Sequence, residues 1–358
     1  MEPRLVPPQV KNHVSVARLT HHWYVACRSA ELKRKLLARR VLGIPLVLYR
    51  DASGAAHALL DRCPHRNVPL SLGHVSNAGH LECAYHGWQF DGEGRCKIIP
   101  GYVGETDARS RRCSHAATRE QEGLIWVYAA LDETPRQEPF NVGLSQLAKH
   151  TIAIHQVEAE ATLHATLENA LDVPHTAFLH RGLFRTAERQ PVNVRIERSA
   201  CGVQAEYIGE SRPSGIVARL LSPAGGVVEH WDRFILPSIA QVEYRLGADS
   251  HFVVTALCTP VDDFCTRITA VAAFRTPLPG SWLRPLLSWM GLRIFAQDAR
   301  VLKAQSANVL EFGGEQFAHT EQDILGPHIW WLLKHAEQGE TNGADFEREL
   351  KLWGQNAT

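Results

Sequence analysis

Two short stretches of this 358-residue chain each pair a cysteine with a histidine. Cys63-Pro64-His65 is a Cys-x-His loop, and Cys83-Ala84-Tyr85-His86 is a Cys-x-x-His loop. Each loop offers one sulfur and one nitrogen. Thiolates are soft donors that suit ferric iron bridged by sulfide, and replacing two thiolates with neutral imidazoles makes such a group less negative and raises its potential. Cys63 and Cys83 are expected to hold one iron of a [2Fe-2S] pair, and His65 and His86 the other. Tetrahedral zinc also accepts two Cys and two His. Zinc modules keep the Cys pair together and the His pair together, however, whereas each loop here mixes them. Pro64 and Gly87 suit tight loops, and Trp88 is placed to shield the metals from water.

A second constellation runs from Glu168 through Asn169, Asp172, Pro174 and His175 to His180. On a regular helix Asp172 and His175 share a face, but His180 lies about 140° around the axis from His175. Pro174, and Gly182 just beyond, are the residues able to distort or end the helix so that both rings converge. Taken singly, His175 and His180 read as partly buried imidazoles bonded to backbone. Taken with Asn169, Asp172 and the upstream loops, they read as metal ligands. Two imidazoles and one carboxylate on one side of a ferrous ion leave positions open for oxygen, so a carboxylate must come from elsewhere in the chain.

The elements that must position these groups fall into two textures. From Trp23 to Tyr128 short Val-, Ile-, Leu- and Tyr-rich runs alternate with turn residues, and Gln89 to Cys96 has a glycine-bearing hairpin turn. The segment 131–140 is polar and holds Pro135 and Pro139, which sets an all-β domain at 20–135 and an α+β domain at 136–358. In the second domain helical periodicity covers Thr162 to Leu179, Trp282 to Leu310 and Gly326 to His335. Strand-like alternation marks Val192 to Ile196, Val203 to Tyr207, Val227 to Leu236, Gln241 to Leu246, His251 to Cys258 and Arg267 to Phe274, joined by short turns as in an antiparallel sheet.

Composition narrows the function classes. The chain holds 38 Lys and Arg against 38 Asp and Glu, so no cationic excess exists to bind nucleic acid. No apolar signal core follows Met1 and no window of 18 residues lacks charge, so a soluble, cytoplasmic protein is expected. Cys27, Cys96, Cys113, Cys201, Cys258 and Cys265 read as buried small apolar side chains. His164 and His230 read as satisfied core histidines, and Trp289, Leu292, Ile294 and Phe295 as core. The run Trp282 to Phe295, with two Arg among many apolar residues, also permits a weak membrane-surface contact.

From Trp23 to the helix near His335 the chain resembles the Rieske non-haem iron oxygenase family, in the stand-alone trimeric branch of ketosteroid hydroxylases, sterol demethylases and chlorophyll-breakdown oxygenases. The resemblance implies an oxygenase (alpha) component with a [2Fe-2S] cluster and a mononuclear Fe(2+). It also implies electrons from a ferredoxin and/or a flavin-dependent reductase, and O2 as co-substrate. The third iron ligand of such enzymes lies far downstream on a long helix, and Gln297-Asp298 is similar to that pattern; Glu311, Glu315 and Asp323 are the alternatives. Asp172 is implied to link a Rieske histidine of a neighbouring subunit to His175, which requires a ring of three chains, and Asn169 to sit behind the ligands. Few basic residues near the motif helix favour a bulky hydrophobic polycyclic substrate such as a sterol. The rival within the class is an O- or N-demethylase of a small aromatic acid. The rival outside it is a Rieske electron-transfer protein without oxygen chemistry, with two irons per chain instead of three.

Overall fold

The computed structural model describes residues 14–180, 191–209, 228–247, 250–340 and 345–353. They form two compact units, one of them Thr20–Val142 and the other 14–19 together with Gly143 onward. In the first, the strands in chain order are β1 (Trp23–Arg28), β2 (Leu37–Val41), β3 (Ile44–Arg50), β4 (Ala56–Leu60), β5 (His74–Val75), β6 (Leu81–Glu82), β7 (Gln89–Phe90), β8 (Cys96–Ile98), β9 (His115–Gln121) and β10 (Leu124–Leu131). A six-stranded antiparallel sheet has the order β1-β10-β9-β4-β3-β2, and a small four-stranded sheet the order β5-β6-β7-β8. The run Arg40 to Tyr49 is a hairpin. Leu42 and Gly43, with φ of 48° and 76°, supply the two left-handed residues whose twist suits a two-residue β-turn.

The period of two along a strand divides the first unit into two cores. Leu46, Leu48 and Ala58 point into one, while Val47, Tyr49 and Leu59 point into the other. Cys63, Cys83, Leu70, Leu81 and Phe90 belong to the second core, so both metal-candidate loops are rooted in dry packing through their cysteines.

The second unit begins with β11 (Thr151–Ala159), followed by helices α1 (Leu163–Leu171) and α2 (His175–Leu179). Then come β12 (Pro191–Ser199), β13 (Gly202–Ile208), β14 (Val228–Ile235), β15 (Ile239–Leu246), β16 (Ser250–Asp262), β17 (Cys265–Arg275), the 32-residue helix α3 (Gly280–Glu311), α4 (Gly326–Glu337) and β18 (Phe346–Trp353). Among the described residues an eight-stranded antiparallel sheet has the order β11-β17-β16-β15-β14-β13-β12-β18. Val194 and Ile196 of β12 and Val203, Ala205 and Tyr207 of β13 meet Leu167, Leu302, Ile329, Leu332 and Leu333 of the helices in one core. The second unit is therefore a helix-covered antiparallel sheet, as the α+β reading expects.

Several expectations need correction. Thr162 to Leu179 is two helices, because a proline disfavours the α conformation in the residue before it and cannot continue the hydrogen-bond ladder. Thr162 caps α1, its hydroxyl accepting from Ala165 N–H at 3.1 Å, and Asp172 ends the helix. Cys201 is exposed and Cys265 only half-buried, because both lie at hairpin ends instead of in the core. Trp289 and Leu292 face outward; α3 packs along β11 by its opposite side, with His155 Nε2 3.0 Å from Ser288 Oγ. No helix among the described residues is long and apolar enough to cross a membrane. Gly182 lies outside the described residues.

Candidate functional site

The two cysteine–histidine loops share one backbone design. Cys63 N–H donates to Val68 O (2.9 Å) and Asn67 N–H to Cys63 O (2.9 Å); Cys83 N–H donates to Trp88 O (2.8 Å) and Gly87 N–H to Cys83 O (3.0 Å). The fifth residue of each loop is left-handed, with φ of 62° at Asn67 and 66° at Gly87. Asn and Gly are the residues that tolerate this conformation best. The loops thus sink their cysteines into the core and raise their histidines to the rim. The His65 and His86 rings lie edge to face with centroids 4.5 Å apart, and Trp88 stacks flat on His65 at 4.6 Å.

These four residues fit a two-iron, two-sulfide group better than a single ion. Around one tetrahedral zinc every ligand atom would lie within about 4 Å of the others, given Zn–S and Zn–N bonds of about 2.3 and 2.0 Å. Among the described residues the group of three or more such side chains that converges within 4.8 Å is a different one. Burial pushes the Cys63 thiol up to about 11, with Cys83 beside it adding to the shift. His65 Nδ1 is buried with no hydrogen-bond partner. A metal that takes thiolates and bare ring nitrogens relieves both costs.

The converging group is His175, His180 and Asp298. His175 is the first residue of α2. His180 follows its last turn with φ −109° and ψ 40°, so it leaves the helical path and its ring swings back toward His175, centroid to centroid 5.2 Å. Asp298 arrives from the middle of α3, one of the few buried positions of that helix. Its Oδ1 lies 3.1 Å from His180 Nε2 and 3.6 Å from His175 Nε2, yet forms no hydrogen bond. A buried carboxylate oxygen facing two ring nitrogens without bonding to either is costly as it stands and fits a shared metal between them.

Both rings are held from behind, as metal-bound histidines commonly are. His180 Nδ1–H donates to Gln297 Oε1 at 2.9 Å, and His175 Nδ1 lies 3.5 Å from Asp172 Oδ2. Each Nε2 faces Asp298 Oδ1. Burial opposes charge on the His175 ring, but the carboxylates of Asp172 and Asp298 on either side outweigh it and hold the ring up at about 9. Of the alternative third ligands, Glu315 accepts from Ser15 N–H at 2.9 Å, Asp323 accepts from Thr320 N–H at 2.6 Å, and Glu311 is exposed at the end of α3. None joins the group. The holding role of Gln297 escaped the sequence reading, although its place beside Asp298 is the signal that points to it.

A cavity of about 510 Å³ opens beside His175, with Asn169, Asp172 and Glu168 on one wall and Tyr207, Leu302, Phe317 and Leu325 on others. Burial raises the Glu168 carboxyl to about 7, and the nearby charges of Asp172, Asp323 and Glu315 push in the same direction. His164 is a buried core histidine whose Nε2 lies 3.4 Å from Gly326 O, and burial lowers its pKa. His230 is buried against Asp232, Nε2 to Oδ1 3.0 Å, with its ring between those of Tyr207 and Tyr244.

Two family models match separate stretches of the chain. Residues 22–104 match the Rieske [2Fe-2S] domain model, and residues 159–334 match the vanillate O-demethylase oxygenase C-terminal domain model. The 4beta-methylsterol monooxygenase of Methylococcus capsulatus is 32% identical over 79% of this chain and 74% of its own length. The oxygenase component of dicamba O-demethylase from Stenotrophomonas maltophilia is 33% identical over 59% of this chain, and the match spans 62% of that relative. A crystal structure of dicamba monooxygenase bound to dicamba superposes with a TM-score of 0.76, at 25% identity, over 92% of this chain and 100% of that one.

Two outcomes test this site. Gln297→Leu removes the acceptor behind His180, so affinity for a single ferrous ion should fall roughly 10–100-fold while the iron–sulfide pair is retained; equilibrium iron binding measured by dialysis checks it. Glu168 has its folded value raised from 4.5 to about 7, so the stability it contributes is complete at low pH and is lost as pH rises through 7. Glu168→Gln should therefore gain on the parent by roughly 1–3 kcal/mol between pH 5 and pH 8.5 in chemical denaturation. A gap that stays constant with pH would count against the buried carboxyl.

Proposed function

Because the chain belongs to the Rieske non-haem iron oxygenase family, we propose that it is an oxygenase component. In this reading it uses O2 and reductase-supplied electrons to hydroxylate or demethylate a bulky, uncharged, hydrophobic substrate such as a sterol. The observation that supports the substrate class is the cavity beside His175, which His175 and Asp172 line and His180 and Asp298 do not. Among the described residues its walls bring no Lys or Arg, and they bring the carboxylates of Asp172 and Asp323 beside the Glu168 carboxyl, which burial holds up at about 7. A small aromatic acid would meet like charge there, whereas an apolar ring system would meet Tyr207, Leu302, Phe317 and Leu325. The volume falls within the roughly 300–1,000 Å³ of ordinary ligand pockets.

His175, His180 and Asp298 would hold a ferrous ion, which would supply oxygen activation, and Cys63, Cys83, His65 and His86 would hold a [2Fe-2S] pair, which would supply single electrons. The chain's own residues set the conditions. Asp298 brings a negative charge to a pair of neutral rings, so a dication bound there would retain net positive charge. Gln297 and Asp172 fix the tautomers of His180 and His175. Asp172 is also half exposed beyond the ring it holds, so its free oxygen can receive a cluster histidine of a second copy, making it the bridge between the two metal centres in a ring of three chains. Asn169 lines the same wall. The electron donor in this reading is a ferredoxin or a flavin-dependent reductase.

The match spans less than two thirds of several relatives, 62% of the dicamba demethylase and 56% of a TIC 55 protein of Arabidopsis thaliana. The substrate is therefore tested directly. With a reductase present, oxygen uptake should accompany product formation from neutral steroids and sterols and not from small aromatic acids; the opposite ranking would overturn the substrate class. Asp172→Asn should lower coupled turnover by roughly 10–100-fold, the usual cost of changing the group behind a metal ligand, with iron content kept near that of the parent.

A further inference from the structure

The outward face of α3 serves no role in the metal site. Trp282, Leu286, Trp289 and Leu292 are 77%, 46%, 55% and 42% exposed. At 100° per residue they fall within about 120° of one another around the axis and extend about 15 Å along it. The opposite side, through Leu283 and Ser288, is held to the sheet by β11. From Thr276 to Gln297 the charged side chains are Arg284 and Arg293, with no acidic residue. Both arginines are exposed; Arg293 lies on the strip, its guanidinium over the Trp289 ring at 5.0 Å, whereas Arg284 falls about 140° around the axis from the strip's centre.

We propose that this tryptophan–leucine strip of α3 rests on an anionic lipid surface, with Arg293 meeting the headgroups. Indole rings favour the boundary between headgroup and acyl chain, where an apolar body and a polar N–H are both satisfied. Basic side chains near an acid-free apolar stripe add attraction to anionic lipid. The helix lies on such a surface and does not cross it, since it is neither long nor apolar enough to span. A second copy of the chain fits the strip less well. Four partly exposed side chains offer about 500 Å² at most, taking roughly 250 Å² for a whole tryptophan, below the roughly 800 Å² that each partner gives to a stable protein interface. This inference stands apart from the substrate reading, because lipid contact is measured without turnover.

The test is co-sedimentation of the metal-loaded chain with vesicles of phosphatidylcholine containing 30% phosphatidylglycerol, and with vesicles of phosphatidylcholine alone. Binding should occur on the anionic vesicles, weaken at least fivefold without phosphatidylglycerol or in 0.5 M salt, and drop at least tenfold in Trp282→Ser/Trp289→Ser. The double variant should keep the parent's circular dichroism, iron content and oligomeric size, which shows that it folds. Absence of binding by the parent, or equal binding by the double variant, would overturn the proposal. So would a change of oligomeric size in that variant, because the strip would then belong to a contact between copies.

Discussion

The second unit depends on one geometric demand. Two imidazoles five residues apart and a carboxylate from another helix must present their lone pairs to the same point. A continuous helix cannot do this, because five residues turn the second ring far around the axis. The chain answers by stopping α1 at Leu171, placing Pro174 before His175, and releasing His180 from helical geometry as α2 ends. Asp298 then needs a fixed position opposite. A long helix packed along β11 and into the core through Leu302 supplies it, and one residue earlier the same helix supplies Gln297 to hold His180.

This arrangement is costly without metal. Asp298 Oδ1 and His175 Nδ1 are buried without hydrogen bonds, and the Glu168 carboxyl, which fills the space a side chain at Gly326 would need, has three further acids within electrostatic reach. Buried polar groups left in that state oppose folding. The surrounding apolar core, from Val194 through Ala205 to Ile329 and Leu333, offsets that cost. The first unit repeats the pattern on a smaller scale. Its cysteines sit deep in a packed core, its histidines at the rim, and a left-handed residue in each loop makes the turn possible.

Much of this was legible in the residues. The mixed Cys–His loops, the clash between the His175–His180 spacing and helical period, and the alternation in β12 to β17 all follow from chemistry and geometry at short range. What stayed hidden depends on partners distant in sequence. The strand β18, Phe346-Glu347-Arg348-Glu349-Leu350-Lys351-Leu352-Trp353, is too charged to read as a strand until it pairs with β12. Cys201 looks like a core thiol until a hairpin end exposes it. Trp289 and Leu292 carry the same apolar signal as core residues; only the side chosen for packing by α3 turns them outward. Glu168 gives no sign in sequence that burial and three neighbouring acids will keep its proton near pH 7.

Whether one chain houses two unlike iron centres is read from iron and acid-labile sulfide per chain after anaerobic reconstitution, run in parallel on the parent and on His180→Ala. Three irons and two sulfides are expected for the parent, and two irons with two sulfides for the variant. A parent that takes up two irons, or one zinc and no sulfide, would contradict that expectation.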